Sequence, residues 1–483
     1  MNVRSAKQTP SAHGTMILTS AVLVLCATAT DLPAQTFTTL YSFCSQTNCT
    51  DGELPEAGLV QATNGRLYGT AWAGGKNAHG TVFNITPGGA LATIYSFCSQ
   101  TNCTDGANPK AGLIQANDGD LYGTTYGGGS QDDGTIFKIS LRGVLTTLYS
   151  FCSLAYCADG YYPQAGLVQA ADGSFYGTTR GGGADGSGTV FKITRGGTLT
   201  TLWSFCSQSN CTDGGYPGPL IQADDGDFYG TTGLGSGTIF RITANGTLNT
   251  LYSFCPQSPC TDGSVPNELV QAADGNFYGT TNLGGANDGG TVFEITPGGA
   301  LQTLYSFCSQ GGTQCTDGAY PEAGLVQATD GNFYGTTYSA PPYGTVFQIT
   351  PSGTLTTLHT FSNTPDGAYP MGELIQATNG KIYGTTSYGG ADTYGTVFSL
   401  SLGLRPFVET ESAAAKVGAT VKILGTNLAA ATSVSFNGTL AVFEVVSGSL
   451  ITTTVPAGAT TGEVEVVTPG GTLSSNVPFR VLP

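Results

Sequence analysis

Short apolar runs separated by glycine-rich turns recur along most of the chain. Residues 113–151 show the pattern, because the runs LIQA, DLYGTT, GTIFKI and LTTLYSF are separated by Asp-Gly, by a glycine-rich loop and by an Arg-Gly turn. Each run is rich in β-branched and aromatic residues, which is typical of short β-strands between turns. The pattern predicts four strands in each unit, which we name a, b, c and d in chain order.

This four-strand unit recurs seven times with a period of about 54 residues. The phenylalanine that ends each strand d marks the repeat: Phe43, Phe97, Phe151, Phe205, Phe254, Phe307 and Phe361. The chain opens with a lone d-type strand at 37–43, and its last unit stops after a c-type strand at 395–400. In a ring, the opening strand would complete the last sheet, which predicts an all-β, seven-bladed β-propeller with few exposed edges. A β-helix is the alternative, although its rungs are usually shorter.

Residues 1–35 are expected to be a secretory signal peptide. Arg4 and Lys7 precede an apolar run at 16–29, and small residues follow the run. The run is too short for a comfortable membrane span and no second one follows, so we expect no span in the mature chain. A lipoprotein attached through Cys26 is the alternative, but Leu25 is larger than such sites usually have. The segment predicts a protein that is secreted or held at the cell surface.

Composition and charge narrow the range of partners. Glycine accounts for 72 of 483 residues and charged residues for only 10%, which suits a turn-rich all-β protein. The net charge is −16, and the sequence has no cluster of basic residues. Proteins that bind nucleic acids or anionic membranes need clustered lysine and arginine. We therefore expect a monomer that binds an extracellular glycan or protein, and no nucleic acid.

Twelve of the 13 cysteines form six local pairs, each placed after a strand d. Such regular pairing behind a signal peptide predicts disulfides. Zinc binding is the alternative, but it needs four ligands, and neighbouring pairs are expected to lie one blade apart. The predicted disulfides join Cys44 to Cys49, Cys98 to Cys103, Cys152 to Cys157, Cys206 to Cys211, Cys255 to Cys260, and Cys308 to Cys315.

The loop lengths predict where a ligand would bind. The a–b and c–d links are tight turns, whereas the b–c and d–a links are long, so antiparallel pairing places all long loops and all cysteine pairs on one face, the loop face. Two positions on it vary among the repeats: the residue after strand b and the residue before the proline of the d–a loop. Aromatic residues there suit sugar stacking, and an arginine suits a carboxylate; packing against the glycine-rich loops is the alternative. The predicted ligand-binding residues are Trp72, Tyr126, Arg180, Tyr162, Tyr216, Tyr320 and Tyr338.

Material for catalysis is scarce. The chain has only three histidines, one of them in the leader, which is too few to favour a histidine metal centre or a Ser-His-Asp triad. The tyrosine, glutamine and Asp-Gly steps recur in nearly every unit, which favours a structural role. Calcium at Asp132–Asp133 or at 224–227 is a minor alternative, since neither has the ligand spacing of an EF-hand. We expect no catalytic residue, no bound metal and no cofactor.

The repeat at 269–307 contains a GLVQA-type run followed by DGNFYGTT, GGTVFEITPGG and TLYSF. This repeat resembles the bacterial GloVer tandem-repeat family, and the resemblance covers residues 36–402. This resemblance implies a secreted or surface protein and no particular activity.

After residue 402 come short alternating strands, expected to form a small Ig-like sandwich over 403–483. Its VKILGTNL, VSFNGT, VPAG and GEVEVVTPGG runs resemble IPT/TIG domains, which implies a binding module or spacer that packs or moves beside the propeller.

These observations lead to one main hypothesis, a non-enzymatic adhesion or binding protein that takes a glycan or a protein on its loop face. An extracellular carbohydrate-active lyase or hydrolase that uses loop-face carboxylates is the alternative. A structural surface spacer is a third hypothesis. A propeller followed by an Ig-like domain also resembles secreted copper oxidases, but the shortage of histidine weighs against that activity.

Overall fold

The computed structural model describes Met1, residues 35–170 and residues 172–482. The predicted signal peptide and the proposed attachment site at Cys26 lie outside the described residues. The described chain is all-β, and its strands are connected by turns and by short 3-10 segments. These segments are Thr47–Cys49, Thr101–Cys103, Ala155–Cys157, Ser209–Cys211, Gly312–Gln314 and Leu428–Ala430.

Each repeat forms one four-stranded antiparallel sheet, a blade, in which neighbours in sequence are neighbours in space. The first strand and the first four blades are β1 (Thr36–Ser42); β2 (Val60–Gln61), β3 (Leu67–Ala71), β4 (Thr81–Ile85), β5 (Leu91–Ser96); β6 (Ile114–Gln115), β7 (Leu121–Thr125), β8 (Thr135–Ile139), β9 (Leu145–Ser150); β10 (Val168–Gln169), β11 (Phe175–Thr179), β12 (Thr189–Ile193), β13 (Leu199–Ser204); β14 (Pro217–Gln222), β15 (Phe228–Thr232), β16 (Thr238–Ile242), β17 (Leu248–Ser253). The last three blades contain β18 (Ser264–Gln271), β19 (Phe277–Leu283), β20 (Thr291–Ile295), β21 (Leu301–Ser306); β22 (Val326–Gln327), β23 (Phe333–Thr337), β24 (Thr345–Ile349), β25 (Leu355–Thr360); β26 (Ile375–Gln376), β27 (Ile382–Thr386), β28 (Thr396–Ser401).

The ring closes as the phase of the repeat predicts. Blade seven has the strand order β1-β28-β27-β26, so the first strand of the chain completes the last sheet. The pairing runs antiparallel from Thr36 opposite Ser401 to Ser42 opposite Thr396. The described repeats thus form seven four-stranded antiparallel sheets, and the predicted class of fold, an all-β propeller, is confirmed.

The hydrophobic core lies between neighbouring blades. The tyrosine of each YGT motif is fully buried, and the Tyr122 ring stacks on Phe175 of the next blade with centroids 4.2 Å apart. The glycine beside the tyrosine is needed for close packing, because a Cβ at Gly177 would lie 2.6 Å from the Phe191 ring. Buried aromatic pairs of this kind combine a large apolar area with a favourable ring geometry.

Recurring polar side chains join the blades, which confirms their structural interpretation. The Gln115 Oε1 accepts a 2.8 Å hydrogen bond from the backbone N–H of Thr63 in the preceding blade, and its Nε2 donates to the Gly119 carbonyl. The Thr124 hydroxyl donates to the Ala165 carbonyl of the following blade at 3.2 Å. Because Thr124 is buried and Gln115 half-buried, their polar groups need partners, and these hydrogen bonds fix the relative position of adjacent blades.

Six disulfides lie at the ends of d strands, as the cysteine spacing predicts. An aspartate organises each of these loops, and it is fully buried in five of the six. The Asp105 carboxylate accepts hydrogen bonds from the Tyr95 hydroxyl at 2.7 Å and from the Ser99 and Gln100 N–H groups. Burial by itself would raise the pKa of Asp105, but these hydrogen bonds outweigh it and lower the pKa. The recurring Asp-Gly step is therefore structural.

The C-terminal part of the chain is a small β-sandwich. Its strands are β29 (Glu409–Thr410), β30 (Ala414–Lys416), β31 (Thr420–Leu424), β32 (Ser433–Phe436), β33 (Thr439–Ala441), β34 (Phe443–Ser447), β35 (Leu450–Thr454), β36 (Val464–Thr468), β37 (Gly471–Ser474) and β38 (Arg480–Leu482). Two sheets, β29-β31-β35-β34 and β33-β32-β36-β37, enclose a core that contains Val421, Ile423, Phe436 and Ile451. A parallel pair, β30 and β38, lies beside them.

The sandwich lies across the a–b face of the propeller, opposite the loop face. The Ser449 hydroxyl donates to the Thr63 carbonyl at 2.9 Å, and the Lys422 ammonium donates to the Asn117 carbonyl at 3.3 Å. The Thr378 and Thr426 hydroxyls are 2.9 Å apart. Because these contacts reach blades one, two and seven, the sandwich covers this end of the ring. Among the described residues, no helix has the length and apolar character to span a membrane.

Candidate functional site

Three predicted site residues form a continuous row of rings on the loop face. The Trp72 ring lies 5.5 Å from Tyr126, centroid to centroid, and Tyr126 stacks on Tyr162 at 4.4 Å with the planes 11° apart. These residues come from blades one, two and three, and each is half-buried. We call them the aromatic row. Its rings retain solvent-accessible surface, so it is a surface feature and not part of the core.

The row continues into blade four through an arginine. The Arg180 guanidinium lies over the Tyr216 ring, 5.5 Å from its centroid, and donates to the Gln164 Oε1 at 3.3 Å. Both Arg180 and Tyr216 are exposed. Stacking on a ring leaves much of the donor fork of an arginine free, so this group can still bind a carboxylate or hydroxyl oxygen.

The other predicted tyrosines lie on blade six. Tyr338 packs against Tyr369 of blade seven with centroids 4.9 Å apart, and Tyr369 in turn contacts Tyr388 edge-on at 6.0 Å. Tyr320 is exposed and, within the described part of the chain, makes no ring contact with another aromatic residue. Tyr369 and Tyr388 therefore belong with Tyr338, although the sequence analysis did not select them.

The backbone explains why both variable positions meet on this face. Within blade three, the Arg180 N–H donates to the Tyr162 carbonyl at 3.1 Å, and the Tyr162 N–H donates to the backbone carbonyl of Asp133 in the preceding blade. Tyr162 has a φ of 56°, a left-handed conformation that the residue before the proline adopts in every blade. Since this conformation is unfavourable for residues with a side chain, the surrounding hydrogen bonds must hold it in place.

Carboxyl groups lie beside the tyrosines, at residues that follow the same prolines. Burial raises the pKa of both Glu56 and Glu322, and the charge of Lys110 partly offsets the rise in each. The Glu322 Oε1 accepts a 3.0 Å hydrogen bond from the Asn282 amide. The same carboxylate raises the pKa of the Tyr338 phenol, after the larger effect of burial. The loop face thus combines aromatic rings with carboxyl, amide and ammonium groups.

A second pair of carboxyl groups lies deeper, at the inner edge of blade six. Glu268 and Glu373 share a hydrogen bond, and burial raises the pKa of both. Gly324 lies between them, since a Cβ there would be 2.2 Å from the Glu373 Oε1 and 3.0 Å from the Glu268 Cβ. Both side chains are half-buried and keep some water-accessible surface. We call Glu268 and Glu373 the acid pair.

The sequence analysis did not identify the acid pair or the Glu56–Lys110–Glu322 group. A signal was present, because the residue before the leucine of strand a is glycine in most units and glutamate in two. The glycines Gly58, Gly112 and Gly166 let successive inner strands approach closely; a Cβ at Gly112 would lie 3.4 Å from the Gly58 carbonyl. Replacement of such a glycine by an ionisable residue departs from a structural pattern and therefore indicates a special position.

Most of the aspartates considered for calcium are engaged with other groups. Asp132 accepts a 2.8 Å hydrogen bond from the Gly128 N–H, and Arg241 forms ion pairs with Asp225 and Asp227. In the described residues, each cluster of three potential metal ligands includes two disulfide-bonded cysteines, which are not free to ligate.

The closed ring of blades and the C-terminal sandwich define a β-propeller protein with an appended Ig-like domain. The chain belongs to the Gloeobacter/Verrucomicrobia repeat family, whose profile matches residues 28–236 and 233–442. The IPT/TIG domain profile matches residues 407–481. Both resemblances inferred from the repeat and from the tail are therefore confirmed.

One solved structure supports the propeller fold, and two others are similar to this chain with lower scores. A catalytically inactive virginiamycin B lyase from Staphylococcus aureus aligns with a TM-score of 0.52 at 14% identity. The alignment covers 76% of this chain and 100% of the lyase chain. The extracellular domain of BT4673 from B. thetaiotaomicron gives 0.49 at 12% identity, covering 93% of this chain and 58% of that one. A fungal alcohol oxidase of the AA5 family, in complex with copper, gives a TM-score of 0.48 at 14% identity, and the alignment covers 89% of this chain and 98% of the oxidase chain. The comparison with curated proteins found no match.

Proposed function

We propose that this protein is a secreted or surface-held binding protein that recognises a glycan on the loop face of its propeller. The observation that carries the proposal is the aromatic row, in which Trp72, Tyr126 and Tyr162 from three blades contact one another and remain partly exposed. A packing role alone would favour full burial of such rings.

The chemistry of the neighbouring groups favours a sugar. Aromatic faces pack against the C–H faces of sugar rings, while carboxylates, amides and guanidinium groups exchange hydrogen bonds with hydroxyls. Glu56, Glu322, Asn282 and Arg180 supply such groups on the same face. The mixture of donors, acceptors and apolar faces suits a polyhydroxylated ligand better than an anionic polymer.

An extracellular location is supported by two independent features. The six disulfides need an oxidising compartment, and the N-terminal sequence has the pattern of a signal peptide. Glycans are abundant partners outside the cell, so the compartment and the chemistry of the site agree.

A glycan-array screen on the oxidised, leader-free protein tests the proposal, with Trp72→Ala and Tyr126→Ala beside it. Binding that falls at least tenfold in both variants is expected, because each removes one stacking face. Tyr156→Ala is the matched control: Tyr156 is 99% exposed on the loop face and lies outside the row. Failure of every glycan to bind, or equal loss in the control, would overturn the proposal in favour of a protein partner or a structural spacer.

A carbohydrate-active enzyme is the second candidate, and the carboxyl groups on the loop face favour it. Burial raises the pKa of Glu322 and Glu56, as a general acid requires. Mass spectrometry of each bound glycan after incubation separates the two functions. Cleavage that is lost in Glu322→Gln while binding persists would establish the enzyme, whereas intact glycans would exclude this activity for the ligands tested.

A further inference from the structure

The six disulfide loops are built alike, but the side chain that faces each disulfide differs. In every blade, the N–H of the residue before the proline of the d–a loop donates to the carbonyl of a b–c loop residue in the preceding blade, two positions before strand c. We call that b–c loop residue the facing residue. For the six disulfides in chain order, the facing residues are Tyr394, His79, Asp133, Ser187, Ser236 and Gly289.

His79 places an imidazole beside one disulfide. A ring nitrogen of His79 and the sulfurs of Cys98 and Cys103 all lie within 4.8 Å of one another. The His79 backbone is fixed, because its carbonyl accepts a 2.8 Å hydrogen bond from the Asn108 N–H. Within the part of the chain that the structure describes, the ring itself makes no hydrogen bond or ion pair, so its nitrogens remain available to the sulfurs.

Two other blades show that the facing position lies against the disulfide. The Asp133 carboxylate and the sulfurs of Cys152 and Cys157 also lie within 4.8 Å of one another. A Cβ added at Gly289 would lie 2.9 Å from the Cys308 Cβ. The side chain at the facing position therefore determines the charge beside the sulfur atoms. Among the six facing residues, the histidine is the one that can carry a positive charge.

The charge beside a disulfide controls how fast it exchanges with thiols. The attacking species is a thiolate, and the sulfur that leaves also carries negative charge. A neighbouring imidazolium attracts the first and stabilises the second, whereas a carboxylate disfavours both. Cys98 and Cys103 are half-buried and keep some accessible surface, so a thiol in solution can reach them.

We propose that Cys98–Cys103 is a redox-active disulfide that exchanges with external thiols, and that the His79 imidazolium assists the exchange. The thiolate of a dithiol attacks one sulfur of the pair and forms a new S–S bond with it. The Cys98–Cys103 bond breaks, its electron pair remains on the other sulfur, and His79 transfers a proton to that sulfur. The second thiol of the dithiol then displaces the attached cysteine as a thiol. The dithiol is thereby oxidised to a disulfide, both cysteines are reduced, and His79 regains from solvent the proton that the attacking thiol released.

The loop is held in place independently of its S–S bond. The Asp105 carboxylate accepts hydrogen bonds from the Tyr95 hydroxyl and from the Ser99 N–H, so the disulfide can open while the loop keeps its shape. An aspartate bonded in this way is present in all six disulfide loops, and it does not explain a difference between them. The exchange site does not depend on glycan binding.

Timed reduction of the full mature chain with dithiothreitol tests the proposal. Free thiols are trapped with N-ethylmaleimide at each time point, and mass spectrometry of the digested protein gives a separate rate for each disulfide. Cys98–Cys103 is expected to open at least about fivefold faster than Cys206–Cys211. The cysteines of both pairs are half-buried, but the facing residue of the second pair is Ser187, which carries no charge.

Two substitutions test the role of the imidazole. His79→Gln should reduce the rate at Cys98–Cys103 to that of Cys206–Cys211, because the amide carries no charge. Ser187→His should raise the rate at Cys206–Cys211 by about fivefold, because it places an imidazole beside that pair. The other disulfides of the same molecule are the matched control, since a general loosening of the fold would accelerate all of them.

The proposal is overturned if Cys98–Cys103 opens no faster than Cys206–Cys211, or if His79→Gln leaves its rate unchanged. Failure of Ser187→His to accelerate its own pair would contradict it as well. A change in the rates of all six disulfides together would also overturn it, since the imidazole would then act through the fold and not on the neighbouring sulfurs.

Discussion

Glu268 and Glu373 share a hydrogen bond although they belong to blades five and seven, which are not neighbours in the ring. A hydrogen bond between two carboxyl groups requires a proton on one of them. Burial is the main cause that raises the pKa of each, to about 7 for Glu373; for Glu268 the charge of Glu373 adds to the effect of burial. The acid pair therefore retains a proton near neutral pH.

This pair should make stability depend on pH. The folded protein holds protons that the unfolded chain loses near pH 4.5, so the contribution of the pair is complete below that value and is lost as the pH rises through about 7. For Glu373 alone the change is at most about 3 kcal/mol. Urea unfolding at about pH 5 and about pH 8 should show a larger decrease for the parent than for Glu268→Gln/Glu373→Gln.

The comparison with the double variant is needed because other carboxylates make stability change with pH in the opposite direction. Asp105 and Asp118 have lowered pKa values, so their contribution is lost on acidification. Those residues are unchanged in both proteins, and the difference isolates the acid pair. Identical pH profiles would show that the pair carries no shared proton.

Gly324→Ala should destabilise the protein by about 1 to 2 kcal/mol, since its Cβ would lie 2.2 Å from the Glu373 Oε1 and 3.0 Å from the Glu268 Cβ. The cost should fall in the Glu373→Gly background, where the carboxyl group is absent. Gly112→Ala is the matched control, because its Cβ meets only the Gly58 carbonyl at 3.4 Å. A thermodynamic cycle with no coupling between positions 324 and 373 would refute the contact.

Removal of one disulfide, with Cys98→Ser/Cys103→Ser, should lower the free energy of unfolding by about 2 kcal/mol. The loop is short, and the hydrogen bonds of Asp105 remain to hold it, so the fold should persist. Blade six supports this expectation, because it forms the same sheet although its strand β25, which carries His359 bonded to Asp366 at 2.8 Å, is followed by no cysteine. Denaturant unfolding under oxidising conditions measures the loss, and a protein that no longer folds would contradict it.

Phe37→Ala should weaken closure of the ring. The Phe37 ring on β1 stacks on His359 at 3.6 Å and contacts Phe398 at 5.2 Å, so truncation should cost about 3 kcal/mol. Thr38→Ala changes an exposed residue on the same strand and should cost less than about 0.5 kcal/mol. Hydrogen exchange of the β28 amides should accelerate selectively in the phenylalanine variant. Uniform acceleration over all blades would instead show that closure and global unfolding are one event.

The repeat predicts most of the fold because each blade must bury its apolar faces against its neighbours. The phase of the d-type strand ending at Phe43 predicts closure, and the spacing of Cys98 and Cys103 predicts a local disulfide. Placement of the sandwich follows no such pattern, since Ser449 and Lys422 bind backbone carbonyls, which every residue has. The ring contacts among Trp72, Tyr126 and Tyr162 join three blades and depend on the curvature of the ring, which a linear period does not specify.

The closing pair of strands also determines how the ring responds to force. Thr36 at the start of β1 lies opposite Ser401 at the end of β28, so a tension applied between the leading end of β1 and the C-terminal sandwich would act on one end of the ladder. The hydrogen bonds would then break one after another, as in a zipper, instead of sharing the load as sheared strands do. Under such a load the ring would therefore open at blade seven first, and the other six blades would be released only afterwards.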